Sequence, residues 1–215
     1  MTQLIVFDCD GTLVDSQAVI VACAQDAFAA VGLLAPSPER IRHIVGLSLE
    51  PAMRVLLGRE DLAMGRRIAD AYRDAFFARR AMPDHEEPLF PGVVETLQAL
   101  RERDAVMGVA TGKTMRGLVQ ILEKHDLADY FVTLQTADLH PSKPHPAMLE
   151  AAMRETGFDP DRTWIIGDTT YDIEMGRLAG CRGIGVSYGN HPSAALTGAG
   201  AMHVVDRIDA LLELV

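Results

Sequence analysis

Two aspartates, Asp8 and Asp10, follow an apolar run near the start of the chain, and their spacing suits chemistry on a charged substrate. Residues two apart at the end of a strand point to the same side of the pleat, so both carboxylates would face one small site. Neighbouring carboxylates repel and raise each other's pKa unless a cation or a proton lies between them. The pair therefore implies a metal ion, acid/base chemistry, or both. An ordinary strand-to-loop turn is the alternative explanation.

The residues D-C-D-G-T at 8–12 resemble the first motif of the haloacid dehalogenase superfamily of phosphotransferases, in its phosphatase form. The resemblance implies that Asp8 is the nucleophile that takes the phosphoryl group. It also implies that Asp10 is the general acid/base and that its backbone carbonyl is a ligand of Mg²⁺. An acid at this position can protonate the leaving alcohol and later activate water, which favours a phosphatase or a phosphomutase.

Two further segments resemble the second and third motifs of that family, in the expected order. Thr111 and Gly112 follow an apolar run, and the resemblance implies that their hydroxyl and amide bind phosphoryl oxygens at the start of a helix. A helix N-cap is the alternative role for Thr111. Lys143 lies in a loop held extended by three prolines. Its compact ammonium group can bridge Asp8 and phosphoryl oxygens where a guanidinium group would be too bulky.

The fourth motif is an apolar run that ends in Gly-Asp at Asp168, with Asp172 four residues further on. The resemblance implies that Asp168 is a direct Mg²⁺ ligand, in an oxygen-rich site shared with Asp8 and the Asp10 carbonyl. Two roles are open for Asp172. It holds a metal-bound water, which we favour, or it interacts with the positive end of the next helix.

An α/β fold with a doubly wound parallel sheet is predicted to position these motifs. Apolar runs predict strands near residues 4–8, 105–110, 131–134, 163–167, 182–187 and 203–205, separated by helical patterns. Ligands of such sheets bind at the carboxyl ends of the strands, where all four motifs lie.

The stretch between the first two predicted strands contains helical patterns and no convincing strand. Helices are predicted from a cap at Asp15-Ser16 to Gly32, over residues 37–46, and from Leu62 to before residue 82. An insertion at this point resembles the helical C1 cap of the family. Residues 16–88 are therefore assigned to the cap, and residues 1–15 and 89–215 to the α/β core.

The resemblance implies that the cap closes over the site, excludes water and selects the substrate. Arg42 and Ser48 flank a possible turn at Gly46 that could reach the active site, so both are candidate substrate-binding residues. A solvated helix face is the alternative interpretation of the basic residues here.

Composition narrows the class of protein. The chain has 215 residues, 48% of them hydrophobic, which suits one core with a small insertion. A net charge of −10 argues against nucleic-acid or anionic-membrane binding. Three cysteines without metal-type spacing predict reduced thiols in a cytoplasmic protein. There is no basic leader, and no apolar stretch reaches the roughly 18 residues of a membrane span.

The motifs predict a cytoplasmic, Mg²⁺-dependent phosphomonoester hydrolase that resembles the phosphoglycolate phosphatases and acts as a monomer or homodimer. Its substrate would be a small phosphorylated metabolite, and phosphoglycolate, nucleotide monophosphates, pyrophosphate and sugar phosphates all remain open. A phosphomutase resembling β-phosphoglucomutase is the alternative enzyme. A signalling receiver module fits less well, because a receiver groups its metal-binding acids after the first strand and lacks a cap.

Overall fold

A parallel sheet of six strands forms the centre of the protein in a computed structural model that describes residues 2–82 and 85–215. The strands are β1 (Leu4–Phe7), β2 (Val106–Thr111), β3 (Thr133–Thr136), β4 (Thr163–Gly167), β5 (Arg182–Val186) and β6 (His203–Val205). Their order is β3-β2-β1-β4-β5-β6, and every neighbouring pair is parallel. The predicted α/β fold is confirmed, and β3 differs most from its predicted bounds.

All four side chains of β1 are apolar, which suits a strand in the middle of the sheet, and all four are buried there. Ile5 and Phe7 pack into one hydrophobic core, while Leu4 and Val6 pack into another on the opposite face. The sheet is thus covered on both faces. The covering helices are α5 (Val93–Glu102), α6 (Met115–Lys124), α7 (Ala147–Thr156), α8 (Thr170–Leu178) and α9 (Ser193–Ala199).

Among the described residues between β1 and α5, four helices share a separate hydrophobic cluster, which includes Phe28, Ile41, Met53 and Ile68. They are α1 (Gln17–Ala30), α2 (Pro38–Arg42), α3 (Leu49–Leu57) and α4 (Leu62–Arg80). α2 is shorter than predicted, and α3 was not predicted. Part of the segment that follows α4, residues 83 and 84, lies outside the described residues.

The chain enters and leaves this helical insertion through two adjacent segments. Asp15 N donates to Pro88 O at 2.8 Å, and Phe90 N donates to Leu13 O at 3.0 Å. These two hydrogen bonds bring the ends of the insertion together beside the carboxyl end of β1. On this basis we propose that residues 16–88 form the cap.

The cysteines and the character of the helices complete the description of the fold. Cys9 and Cys23 are buried, Cys181 is partly buried, and all three are free thiols. In the part of the chain that the structure describes, no helix combines the length and the apolar character needed to cross a membrane.

Candidate active site

The carboxyl ends of three adjacent strands bring the predicted motifs together. Asp8 follows β1, Thr111 is the last residue of β2, and Asp168 follows β4. β1 lies between the other two strands, so the three side chains meet at one edge of the sheet. Lys143 reaches the same point from the loop that connects β3 and α7.

Asp8 is a buried carboxylate with one oxygen free. It is 1% exposed, and its backbone N donates to Ile166 O at 2.8 Å, which extends the strand pairing by one residue. Oδ1 accepts a hydrogen bond from Lys143 Nζ, whereas Oδ2 is buried and has no hydrogen-bond partner among the described residues. Burial raises the pKa of Asp8 well above its ordinary value, and the charges of Asp172 and Asp168 add to this effect against that of Lys143. The free oxygen is available to a phosphorus atom or a cation.

Lys143 joins the first and fourth motifs. Its Nζ lies 2.8 Å from Asp8 Oδ1 and 2.6 Å from Asp172 Oδ1, and its side chain has no exposed surface. Burial lowers the pKa of Lys143, but the charges of Asp172 and Asp8 outweigh burial and raise it above its ordinary value. The group is therefore a fixed positive charge beside the free oxygen of Asp8.

Three buried acids form a cluster that suits a hard cation. Ligand oxygens of Asp8, Asp168 and Asp172 all lie within 4.8 Å of one another. Burial, followed by the charge of Asp172, raises the pKa of Asp168 to about 7. An all-oxygen donor set of three buried carboxylates fits a hard cation such as Mg²⁺. Asp168 is held by Asn190, whose backbone N and Nδ2 both donate to Oδ2 at 2.7 Å.

Both carboxylate oxygens of Asp172 already have hydrogen bonds. Oδ1 accepts from Lys143, and Oδ2 accepts from the backbone N and the hydroxyl of Thr169 at 3.1 and 2.7 Å. Thr169 and Asp172 form a capping box at the start of α8. Asp172 thus caps the helix and positions Lys143, and its predicted role toward a metal ion stays a prediction.

Asp10 is oriented by two side chains whose contacts were not predicted. Lys113 Nζ lies 2.9 Å from Asp10 Oδ1, and the hydroxyl of Ser16 donates to the same oxygen. Ser16 is the N-cap residue of α1, as predicted, but its side chain makes no capping hydrogen bond. The side chain instead donates its hydrogen bond to Asp10. Lys113 also lies 3.9 Å from Glu87 Oε1, in the segment that returns from the insertion to the core.

Thr111 and Gly112 lie where the insertion contacts the core. Thr111 is not a helix N-cap, because Thr114 takes that position in α6 and accepts from Gly117 N at 3.3 Å. A Cβ on Gly112 would lie 2.7 Å from Leu47 O, so a larger residue would collide with the loop that precedes α3.

A cavity of about 600 Å³ lies between the core and the insertion. The predicted site residues that line it are Asp8, Asp10, Ser48, Thr111 and Gly112. Ser48 N donates to Ser142 Oγ at 2.9 Å, while the Ser48 hydroxyl is buried and has no hydrogen-bond partner in the part of the chain that the structure describes. Arg42 is not among the described residues that line the cavity, so its predicted role in substrate binding has no support from its position.

The insertion is also held to the core at His43. Tyr171 Oη donates to His43 O at 3.1 Å, and His191 Nε2 lies 3.1 Å from the same oxygen. The Nδ1 of His191 accepts from Thr170 N at 3.0 Å, so Nε2 carries the hydrogen and donates to His43 O. The two imidazole rings stack with centroids 4.9 Å apart. Burial lowers the pKa of His191, which favours this neutral form.

A model of the family "Haloacid dehalogenase-like hydrolase" matches residues 5–186, which include all four motifs. The chain belongs to this family. The family predicted from the motifs is confirmed, and with it the prediction that the chain is a hydrolase.

Proteins that are similar to this chain carry names of phosphatases. A protein of Dickeya dadantii named "Probable phosphatase IndB" is 36% identical over 212 residues, covering 96% of this chain and 90% of that protein. A phosphoglycolate phosphatase of Vibrio parahaemolyticus is 32% identical over 229 residues, covering 99% and 96%. A crystal structure described as a predicted phosphatase from Clostridium acetobutylicum has a TM-score of 0.89 and 26% identity, covering 100% of this chain and 98% of that one.

Proposed function

We propose that this protein is a Mg²⁺-dependent phosphomonoester hydrolase that works through an aspartyl phosphate on Asp8. The observation that carries the proposal is the buried, unpartnered Oδ2 of Asp8, placed beside the ammonium group of Lys143 and lining the cavity together with Asp10. The phosphatase names of the relatives support it.

The acid cluster suits Mg²⁺. Asp8, Asp168 and the backbone carbonyl of Asp10 would hold the ion, with Asp172 behind Lys143. The bound ion would supply positive charge to the phosphoryl oxygens.

In the first step, Asp8 Oδ2 attacks phosphorus and the bond from phosphorus to the alcohol oxygen breaks. Asp10 gives its proton to that alcohol oxygen. Lys113 and Ser16 both contact Oδ1 of Asp10. The proton would therefore be carried by Oδ2. Lys143 neutralises charge on the phosphoryl oxygens, and Thr111 and Gly112 bind them.

In the second step, Asp10 is a carboxylate and takes a proton from water. The water oxygen attacks phosphorus, the bond from phosphorus to Asp8 breaks, and inorganic phosphate leaves with the Asp8 carboxylate regenerated. The nearby ammonium group of Lys113 keeps the Asp10 side chain in one orientation through both proton transfers.

Two aspartate variants test this mechanism. Asp8→Asn is expected to abolish turnover and covalent labelling, because an amide is a poor nucleophile. Asp10→Asn is expected to lower turnover by about 10²–10⁴-fold, the contribution typical of a general acid/base. Because an activated ester needs no proton on its leaving group, this variant should accumulate a phosphoenzyme. The exposed neighbour Asp15 provides the control Asp15→Asn, which should behave as the wild type.

Rapid acid quench followed by mass spectrometry locates the phosphoryl group, which should be on the peptide that contains Asp8. Label on a serine or histidine, or full activity of Asp8→Asn, would refute the mechanism. Return of the phosphoryl group to a sugar phosphate, without free phosphate, would assign the phosphomutase alternative.

A further inference from the structure

The cavity above Asp8 is much larger than a phosphoryl group and a two-carbon alcohol require. Its volume of about 600 Å³ lies within the range of roughly 300–1,000 Å³ that is typical of sites for drug-sized molecules. Apolar and aromatic side chains from the insertion form much of its wall, among them Leu47, Met53, Tyr72, Phe76 and Phe77.

The aromatic wall lies close to the point where the alcohol leaves. Lys113 Nζ is 2.9 Å from Asp10 Oδ1 and 5.9 Å from the centroid of the Phe76 ring. The ammonium group of Lys113 thus lies close to both the general acid/base and the aromatic wall. Phe77 lines the same cavity, yet it is 53% exposed. A large apolar surface left open beside a nucleophile indicates a ligand that covers it.

The charges near Asp10 disfavour a carboxylate on the alcohol. Lys143 is held between two aspartates, and Lys113 is paired with Asp10. Glu87 Oε1 lies 3.9 Å from the same Lys113 Nζ, so two carboxylates already flank this ammonium group. A substrate carboxylate that approached Lys113 would therefore be repelled by Asp10 and Glu87.

Two of the more distant cations of the cavity lie against the aromatic rings. The guanidinium carbon of Arg80 is 5.7 Å from the Phe76 centroid, and that of Arg116 is 5.8 Å from the Phe77 centroid. Guanidinium groups and rings in this arrangement attract the face of a further flat ring.

We propose that the preferred substrates are phosphate monoesters whose alcohol carries a planar aromatic ring without a carboxylate. The ring lies against Phe76 and Phe77 while the phosphoryl group lies at Asp8. This inference rests on the proposed phosphatase activity and adds the substrate class. The proposed substrate class differs from the substrate in the names of the relatives that are called phosphoglycolate phosphatases.

Matched pairs of esters test the substrate class. Ethyl phosphate and 2-phenylethyl phosphate share a primary alcohol and differ by a ring, as do ribose 5-phosphate and uridine 5′-monophosphate. The kcat/KM of the ring-bearing ester is expected to exceed that of its partner by about tenfold or more in both pairs, and to exceed that of phosphoglycolate. Equal values within the pairs, or phosphoglycolate as the best substrate, would overturn the inference.

Two cavity variants locate the ring. In Phe76→Ala and Phe77→Ala, the ratio of kcat/KM for 2-phenylethyl phosphate to that for ethyl phosphate is expected to fall by about tenfold in at least one variant. Phe158→Ala is the control, because Phe158 also contacts an arginine but lies outside the cavity lining. An unchanged ratio in both cavity variants would remove the aromatic wall from the substrate site.

Failure of the substrate class and failure of the proposed function give different results. If the protein hydrolyses none of the esters at any Mg²⁺ concentration, the proposed function is wrong. If it releases phosphate from all of them without preference for a ring, the phosphatase activity stands and the substrate class is wrong.

Discussion

The buried Lys143 makes the requirement for a compact cation testable at a single residue. Its ammonium group fills the space between Asp8 and Asp172, with contacts of 2.8 and 2.6 Å. Lys143→Arg is expected to lower kcat nearly as much as Lys143→Ala, by about 10²–10³-fold, because a planar guanidinium group cannot replace a point charge there. Steady-state kinetics measure the loss.

The exposed Lys124 provides the matched control, and Lys124→Arg should retain full activity. Removing one partner of a buried ion pair also destabilises the fold, so circular dichroism must first show that both Lys143 variants are folded. A folded Lys143→Arg protein with most of the wild-type kcat would show that charge alone is sufficient.

The raised pKa of Asp168 predicts competition between protons and Mg²⁺. Its pKa of about 7 in the metal-free protein means that the carboxyl group is largely protonated below pH 7 and must lose a proton to bind the ion. The Kd for Mg²⁺ should therefore be lowest above pH 7 and rise by about tenfold or more for each pH unit below it. Calorimetric titrations at pH 8, 7 and 6 measure this. A constant Kd would contradict the role of Asp168, and excess chelator should abolish turnover.

Much of the site could be predicted at the residue scale, because four motifs follow four apolar runs at the same edge of a parallel sheet. Asp8, Lys143 and Asp168 converge for this reason. Ser16 and Asn190 could not be found in the same way. Their contacts with Asp10 and Asp168 depend on the path of the chain into the insertion and on the loop after β5, which no local pattern encodes.

At the scale of single elements, the sequence predicted strands better than helices of the insertion. The core strands are short apolar runs bounded by turn residues, and their type follows from burial on both faces. α3 was missed, although Ser48 precedes it and Gly58 ends it in a left-handed conformation. Pro51 interrupts the helical pattern, yet proline is tolerated in the first turn of a helix, where its missing N–H costs no hydrogen bond.

The capping box of α8 contributes to the free energy of unfolding, and this contribution can be measured. Thr169→Ala removes the hydroxyl that bonds Asp172 Oδ2 at 2.7 Å, and it is expected to lower the free energy of unfolding by about 1 kcal/mol, within the range of about 0.5–2 kcal/mol for caps. Urea denaturation of the metal-free protein measures the change. Thr170→Ala, one residue inside the helix, is the control. Equal stability of Thr169→Ala and the wild type would show that the cap contributes little.

At the scale of the whole molecule, His191 links the stability of the contact between insertion and core to pH. The pKa of His191 is lowered by burial, so the unfolded chain binds its proton more readily than the folded protein. Stability from this group is complete above its ordinary pKa of about 6.5 and is lost as pH falls below it. Protonation of Nδ1 would also break the hydrogen bond that Nδ1 accepts from Thr170 N.

The free energy of unfolding of the wild type is therefore expected to decrease more between pH 8 and pH 5 than that of His191→Gln. Denaturant titrations at both pH values measure the difference, with His203→Gln as an exposed control. The other titratable groups that face this contact are present in both proteins, so their effects cancel in the comparison; they are His43, Tyr171 and Asp172. Equal losses in His191→Gln and the wild type would assign the pH dependence to other groups.

The loop that carries Leu47 and Ser48 lies directly on Gly112, and this contact has a consequence for the timing of catalysis. Any movement of the insertion away from the core would separate this loop from Gly112 and break the Ser48–Ser142 hydrogen bond. Where such a movement accompanies the release of product, its rate and not the rate of the chemical steps would limit kcat.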